Sequence, residues 1–182
     1  MRRYYITDRR ALGGTAELLR VIERAVAAGV EMIQIREKDL STGALFELVV
    51  AAVALVKGTH TRVLVNDRLD VALAAGAHGV HLRADSLPVM RVRAVAPAGF
   101  LVGVSCHNAD EVALASAADF VVLSPVFAKP GYPPPLGLAA FGAIARAAAV
   151  PVYALGGVTK ENASECLAAG AAGIAGISLF QD

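Results

Sequence analysis

The sequence has no tryptophan and only two cysteines, Cys106 and Cys166, with no CxxC spacing. Two isolated cysteines give no disulfide framework and read as free thiols in a reducing compartment. Charge of one sign is not in excess either: 17 Lys plus Arg stand against 16 Asp plus Glu, a net charge of +1. That balance excludes a general nucleic-acid binder or a polybasic membrane surface, both of which need a basic excess. No apolar run approaches the ~20 residues needed to cross a bilayer. At the N-terminus, Arg2-Arg3 and then Thr7-Asp8 leave no secretory apolar segment. The expectation is a cytoplasmic protein with no nucleic-acid and no membrane partner. What the sequence does have is apolar material, 56 % against 18 % charged. This excludes disorder and suits one domain over residues 1–182 with a single core.

A pattern recurs along the chain. An Ala-rich amphipathic stretch ends in Ala-Gly, and a short apolar run follows. Ala28-Gly29 precedes Met32-Ile33-Gln34-Ile35, Ala75-Gly76 precedes Gly79-Val80-His81-Leu82, and Ala169-Gly170 precedes Gly173–Ile177. Glycine just past a helix is the usual left-handed stop, and a short buried run after it reads as a parallel strand. The spacing predicts eight strands: Tyr4–Thr7, Met32–Arg36, Val63–Asn66, Gly79–Leu82, Leu101–Ser105, Phe120–Val126, Val152–Leu155 and Gly173–Leu179. Helices are expected between them, among them Thr15–Ala28, Thr42–Lys57 and Thr159–Ala169. The fold class is α/β, a compact (β/α)8 TIM barrel of about 23 residues per unit. An open doubly wound sheet is the competing architecture, weakened because no GxGxxG follows the first strand. Only Gln181-Asp182 follow Phe180, so the eighth helix is essentially missing. Its face needs cover from a second copy of the chain or from the N-terminal segment, or stays exposed, and a homodimer is the expectation.

In such a barrel, function sits at the C-terminal ends of the strands. The residues there are polar ends of apolar runs: Asp8, then Gln34 and Arg36 with Glu37 and Lys38, then Asn66-Asp67-Arg68. Further on come His81 with Arg83 and Asp85, Ser105-Cys106-His107, Ser124 with Lys129, Gly156-Gly157, and Gly176 with Ser178. Gln34 and Arg36 are two apart and face the same side of their strand. An inward Arg with a Lys nearby calls for an anion, and its planar fork suits phosphate. Gly156-Gly157 before Thr159 offers bare backbone N–H groups at a helix start. Two anion-binding regions follow, for one phosphorylated and one diphosphorylated ligand or a single long one. Blander readings stand beside these: a solvated loop at Arg36–Lys38, a tight turn at Gly156-Gly157, a salt-bridged cap at Asp67-Arg68, a core histidine at His81. Cys106 and His107 are adjacent, so they point to opposite faces and make a poor nucleophile pair.

Taken in order, several short motifs resemble the thiamine-phosphate synthase family. They are Tyr4-Tyr5-Ile6-Thr7-Asp8, Ile33-Gln34-Ile35-Arg36-Glu37-Lys38, Val65-Asn66-Asp67-Arg68 and Gly79-Val80-His81-Leu82. Gly103–His107, Ser124–Phe127, Leu136–Leu138, Ala154–Val158 and Ile177-Ser178 continue the series across nearly the whole chain. The resemblance implies a transferase that joins hydroxymethylpyrimidine pyrophosphate to a thiazole phosphate and releases pyrophosphate, with Mg²⁺ neutralising the leaving group. Carried over by position, Arg36, Lys38 and Lys129 would be catalytic. Gln34, Asn66, His81 and Ser105, with Gly156, Gly157, Ile177 and Ser178, would bind the two substrates, and Asp67 and Asp85 would hold the metal.

Departures from the family pattern fall at the chemistry. Arg83-Ala84-Asp85-Ser86 stands where the synthases carry Gly-Gln, any residue, then a metal-binding Asp, so Ser86 occupies the carboxylate position and Asp85 is one place early. The Thr-rich segment usual before the strand-six lysine is also shortened, running straight from Ala128 to Lys129. Two other functions are compatible with the superfamily. One is a thiazole tautomerase, a metal-free proton transfer in which His81 or His107 would serve as base. The other is a degenerate barrel that only binds thiamine intermediates.

Overall fold

The expected runs of Val, Ile, Leu and aromatic residues become strands because both of their faces are buried. In a computed structural model describing residues 1–128 and 134–181, they are β1 (Arg2–Ile6), β2 (Met32–Ile35), β3 (Arg62–Asn66) and β4 (Gly79–Leu82). The series continues with β5 (Leu101–Cys106), β6 (Phe120–Leu123), β7 (Val152–Ala154) and β8 (Gly173–Gly176). Each pairs in parallel with the next, and β8 returns to β1 with Gly173 opposite Arg2 and Ala175 opposite Tyr4. This closure makes the (β/α)8 TIM barrel and sets the open sheet aside. The connecting helices are α1 (Thr15–Ala27), α2 (Thr42–Leu55), α3 (Leu69–Ala74), α4 (Val89–Arg93), α5 (Ala109–Leu114), α6 (Gly137–Ala147) and α7 (Ala163–Ala169). Short helices at α3, α4 and α5 are how so many units fit the chain. Among the described residues, no helix is long and apolar enough to cross a membrane.

Alternate residues of each strand serve two cores. Tyr5, Ile33, Ile35, Val63, Val65, Val80 and Val102 face outward and pack with Leu18, Val21 and Ile22 of α1 and Leu45, Leu48 and Val49 of α2. Tyr4, Ile6, Met32, Leu64, Phe120, Val122, Tyr153 and Ala175 face inward and fill the barrel. Three inward aromatics meet edge to face, with ring centroids 5.4 Å apart for Tyr4–Phe120, 5.3 Å for Phe120–Tyr153 and 6.2 Å for Tyr4–Tyr153. Inward glycines make the room. A Cβ on Gly103 would lie 2.4 Å from Phe120 Cζ, and one on Gly173 would lie 2.6 Å from Tyr153 Cε1.

Most boundaries fall within two residues of the sequence expectation, and three move further, each for a local reason. The sixth strand stops at Leu123 rather than Val126, because Pro125 has no N–H to continue the ladder. The eighth stops at Gly176 rather than Leu179, and the chain turns into a 3-10 turn over Ser178–Phe180. The last helix starts at Ala163 rather than Thr159. There the Thr159 N–H donates to Asn162 Oδ1 at 2.8 Å and the Asn162 N–H to Thr159 Oγ1 at 3.4 Å, a side-chain turn that precedes the helix.

Phe180 and Gln181 lie against the outer side of β1. Tyr5 is fully buried. The Phe180 ring lies 5.7 Å from that of Tyr5, and the Gln181 amide donates to Tyr5 Oη at 3.3 Å and to the Asp8 carbonyl at 3.1 Å. Gly103→Ala should lower stability by about 1–3 kcal/mol through overpacking against Phe120, read as a lower urea midpoint at unchanged slope.

Candidate active site

Above the aromatic floor the inward residues turn polar, and they form one hydrogen-bonded chain across the barrel. Gln34 Nε2 donates to Tyr4 Oη at 2.9 Å; Tyr4 Oη lies 3.0 Å from His81 Nδ1, and His81 Nε2 lies 2.9 Å from Ser105 Oγ. With its oxygen accepting from the Gln34 amide, Tyr4 has its own O–H to direct at His81 Nδ1. This network assigns the imidazole proton to Nε2, which donates to Ser105. The Ser105 hydroxyl proton is left for whatever enters the mouth. Gln34 and His81 are each 2 % exposed. Burial, and next the charge of Arg36, push His81 down to about 3, while burial pushes the Tyr4 hydroxyl far up. At neutral pH the chain is uncharged throughout.

Cations gather beside it. Arg36 follows β2 and is half-buried, and its backbone N–H donates to Thr7 Oγ1 at 3.0 Å. Thr7 in turn donates to Glu37 Oε1 at 2.6 Å, and the Arg9 N–H reaches both Glu37 oxygens at 3.1 and 3.2 Å. Glu37 is therefore a buried strap between the β1 and β2 ends, its pKa raised chiefly by burial, and not a free ligand. Among the described residues, the Arg36 guanidinium and the Lys38 ammonium have no carboxylate partner. Arg36 above all, then desolvation and Arg83, holds Lys38 below its ordinary pKa. A cavity of about 200 Å³ opens here, lined by Lys38, Asn66, Asp67 and Arg83 among others.

Asp67 follows β3 in the left-handed region, with φ of 54°, and its N–H donates to the His81 carbonyl at 2.8 Å. Its carboxylate accepts from Ser86 Oγ at 2.5 Å and lies 3.7 Å from Arg83 Nε. The salt-bridged cap imagined for Asp67-Arg68 is not formed, because Arg68 takes Asp70 instead at 2.9 and 2.7 Å. Nor are Asp67 and Asp85 brought together as a ligand pair: Asp85 is 74 % exposed and held on the Arg83 guanidinium at 2.9 and 3.0 Å. Among the described residues, no group of three or more His, Cys, Asp or Glu side chains could hold a metal ion.

Across the mouth lies a site made of backbone. Gly156 and Gly157 both have positive φ, 92° and 67°, and an added Cβ would lie 2.7 Å from Pro125 Cα and from Phe127 Cβ respectively. Only glycine fits at either position. Among the described residues, the N–H groups of Gly156, Gly157 and Val158 have no backbone acceptor, while Asn162 Nδ2 steadies the Gly157 carbonyl at 2.9 Å. The helix start expected at Thr159 lies further along, so backbone donors rather than a helix end define this region. Ile177 and Ser178 enter the 3-10 turn after β8, with Ser178 exposed. Lys129 lies outside the described residues.

The structure thus brings Gln34, His81 and Ser105 into one chain through Tyr4, a residue to which the sequence reading gives no role of its own. Cys106 is buried among outward apolar residues with its thiol pushed up to about 12, and His107 is exposed with Nδ1 3.0 Å from Glu111, so the two form no dyad. His81 also sets a pH dependence. A histidine held below its ordinary value of 6.5 takes its proton more readily unfolded, so its contribution is lost as pH falls from there toward 3. His81→Gln should flatten the acid side of the stability profile by up to about 1.4 kcal/mol per pH unit, read from urea unfolding at about pH 7 and about pH 5.

Comparison with known proteins gives this geometry a context. The family model described as thiamine monophosphate synthase matches residues 3–180. A relative from Geobacter sulfurreducens is 45 % identical over 96 % of this chain and 84 % of its own. The thiamine-phosphate synthase of Methanoregula boonei is 43 % identical over 96 % of this chain and 83 % of its own. Among solved structures, the thiamine phosphate pyrophosphorylase from Pyrococcus furiosus aligns with a TM-score of 0.88 at 31 % identity, over 100 % of this chain and 88 % of its own. With barrel, motif order and nearly the full length in agreement, the chain belongs to the thiamine monophosphate synthase family.

Proposed function

We propose that the protein is a transferase that couples hydroxymethylpyrimidine pyrophosphate with thiazole phosphate to give thiamine phosphate and pyrophosphate. The observation that carries this reading is the pairing of two cations that form no ion pair among the described residues, Arg36 and Lys38, with an uncharged polar chain and a separate backbone-donor loop on one barrel mouth. In the reaction the pyrimidine methylene carbon loses its bond to the diphosphate oxygen, and the electron pair leaves with pyrophosphate. The thiazole nitrogen then gives its lone pair to that carbon.

Arg36 and Lys38, with Lys129, hold the diphosphate and take up the charge that develops on it. Gln34, Asn66 and Ser105 orient the pyrimidine. His81 positions Ser105 and leaves its hydroxyl proton free to donate. Gly156 and Gly157, with Ile177 and Ser178, receive the thiazole phosphate through backbone N–H groups. Asp67 lines the cavity and fits as a single protein carboxylate for Mg²⁺, an ion that takes its remaining ligands from phosphate oxygens and water. Asp85, locked on Arg83, does not fit that role. When bound, the ion neutralises charge on the leaving group. The two buried free thiols suit the cytoplasm as the compartment.

The tautomerase alternative lacks support here. His81 is neutral with both ring nitrogens engaged, and His107 is tied to Glu111. The test is a coupling assay with both phosphorylated substrates, with and without Mg²⁺, following thiamine phosphate. Arg36→Ala should lower kcat/KM by about 100-fold or more while circular dichroism stays unchanged. Coupling that survives that substitution at full rate would sink this reading of the site.

A further inference from the structure

Arg83 stands at the end of β4, and the family resemblance gives it no role. Its guanidinium nevertheless lies at the same mouth as Arg36 and Lys38. It lines the same cavity as Lys38, Asn66 and Asp67. Its Nε and Nη2 hold the two Asp85 oxygens at 2.9 and 3.0 Å, and Nε also lies 3.7 Å from Asp67 Oδ2. Ser86 Oγ meanwhile holds the other Asp67 oxygen. The guanidinium is therefore the positive charge set between two carboxylates.

Two features make this arrangement exchangeable. The Arg83 and Asp85 side chains are 51 % and 74 % exposed, and a pair so open to water is weak. A diphosphate also outbids a lone carboxylate for a guanidinium, because it brings more charge and offers the same paired-oxygen geometry. Arg83 additionally depresses the basicity of Lys38, so the two side chains already feel each other's charge. Adding an anion between them relieves that repulsion.

Resting on the coupling reading above, we infer that Arg83 is a fourth diphosphate-binding cation, kept at the mouth by Asp85 until the diphosphate takes Asp85's place. Asp85 is then a competitor for the substrate, not a ligand for a metal. Part of the diphosphate affinity consequently belongs to the protein alone, without Mg²⁺.

Calorimetric titration with inorganic pyrophosphate, in the presence of a chelator and again with Mg²⁺, tests this. The wild-type protein should bind without the metal. Arg83→Ala should raise Kd roughly tenfold, the size expected for one charge-assisted contact, and Arg83→Lys should recover part of the loss. Asp85→Asn should move the other way and tighten binding several-fold, because it frees Arg83. An unchanged Kd in Arg83→Ala, weaker binding in Asp85→Asn, or binding that appears only with Mg²⁺ overturns the inference. Arg36→Ala separates the two levels of argument. Pyrophosphate binding that depends on Arg36 but not on Arg83 sinks the role of Arg83 alone. A wild-type protein that neither binds pyrophosphate nor couples substrates sinks both.

Discussion

The Tyr4 hydroxyl is the contact on which the arrangement of the mouth depends. Its ring belongs to the apolar floor with Phe120 and Tyr153, and its oxygen belongs to the polar layer with Gln34 and His81. The position is fully buried, so no water can replace a lost partner there. Without that oxygen, the Gln34 amide and His81 Nδ1 would both be left unsatisfied in a low-dielectric interior, each costing about 1–3 kcal/mol. The same bond decides which histidine nitrogen carries the proton, and hence which way Ser105 can donate. Packing of the barrel floor therefore reaches the chemistry through one side chain. The inward glycines are part of that arrangement, because Gly103 leaves the space that His81 and Phe120 share.

Electrostatics at the mouth follow from selective neutralisation rather than from composition. In a chain with a net charge of +1, most arginines are neutralised locally. Arg9 is matched by Asp39, Arg68 by Asp70 and Arg93 by Asp119. Arg36 and Lys38 have no such ion pair among the described residues, and the charge of Arg36, with desolvation, lowers the basicity of Lys38. The opposite side of the mouth uses a different device. At Gly156 and Gly157 the available donors are backbone N–H groups, which under the proposed reading would receive an anion without adding formal charge.

Much of the barrel was legible because its units repeat and its strands are buried on both faces. Gln34 and Arg36 were readable as same-side residues from their spacing, and the glycine pair from its lack of side chains. The same two-sided burial hid other things. An unbroken apolar run carries no alternation, so nothing in Tyr4-Tyr5 says which tyrosine faces inward until the barrel closes. Glu37 sits in a run of charges that reads as a solvated loop, yet Thr7 and the Arg9 N–H draw it under the surface. The family resemblance makes Asp85 a metal ligand, and only the local pairing with Arg83 shows where its oxygens go. Pro125 and the Thr159–Asn162 turn shifted two boundaries through backbone hydrogen bonding, which hydropathy does not register.

The division of the mouth into a neutral centre and a charged flank suits a reaction that separates charge. Breaking a carbon–oxygen bond to a diphosphate leaves positive charge on carbon and more negative charge on the departing oxygens. Cations close to that carbon would oppose the ionisation, whereas cations close to the oxygens favour it. His81, held near 3 by burial, remains neutral over the working pH range and so places no positive charge at the centre. Its ring, Tyr4 and Phe120 lie within 6 Å of one another and present aromatic surface beneath the polar chain, a setting that tolerates a cation. The guanidinium of Arg36 and the ammonium of Lys38 stand at the flank, where the leaving group would be drawn. Were His81 to protonate, the same barrel would place a positive charge beneath the reacting carbon and bond the wrong way to both Tyr4 and Ser105. Burial of that one imidazole thus protects both the field and the hydrogen-bond direction on which the coupling would rely.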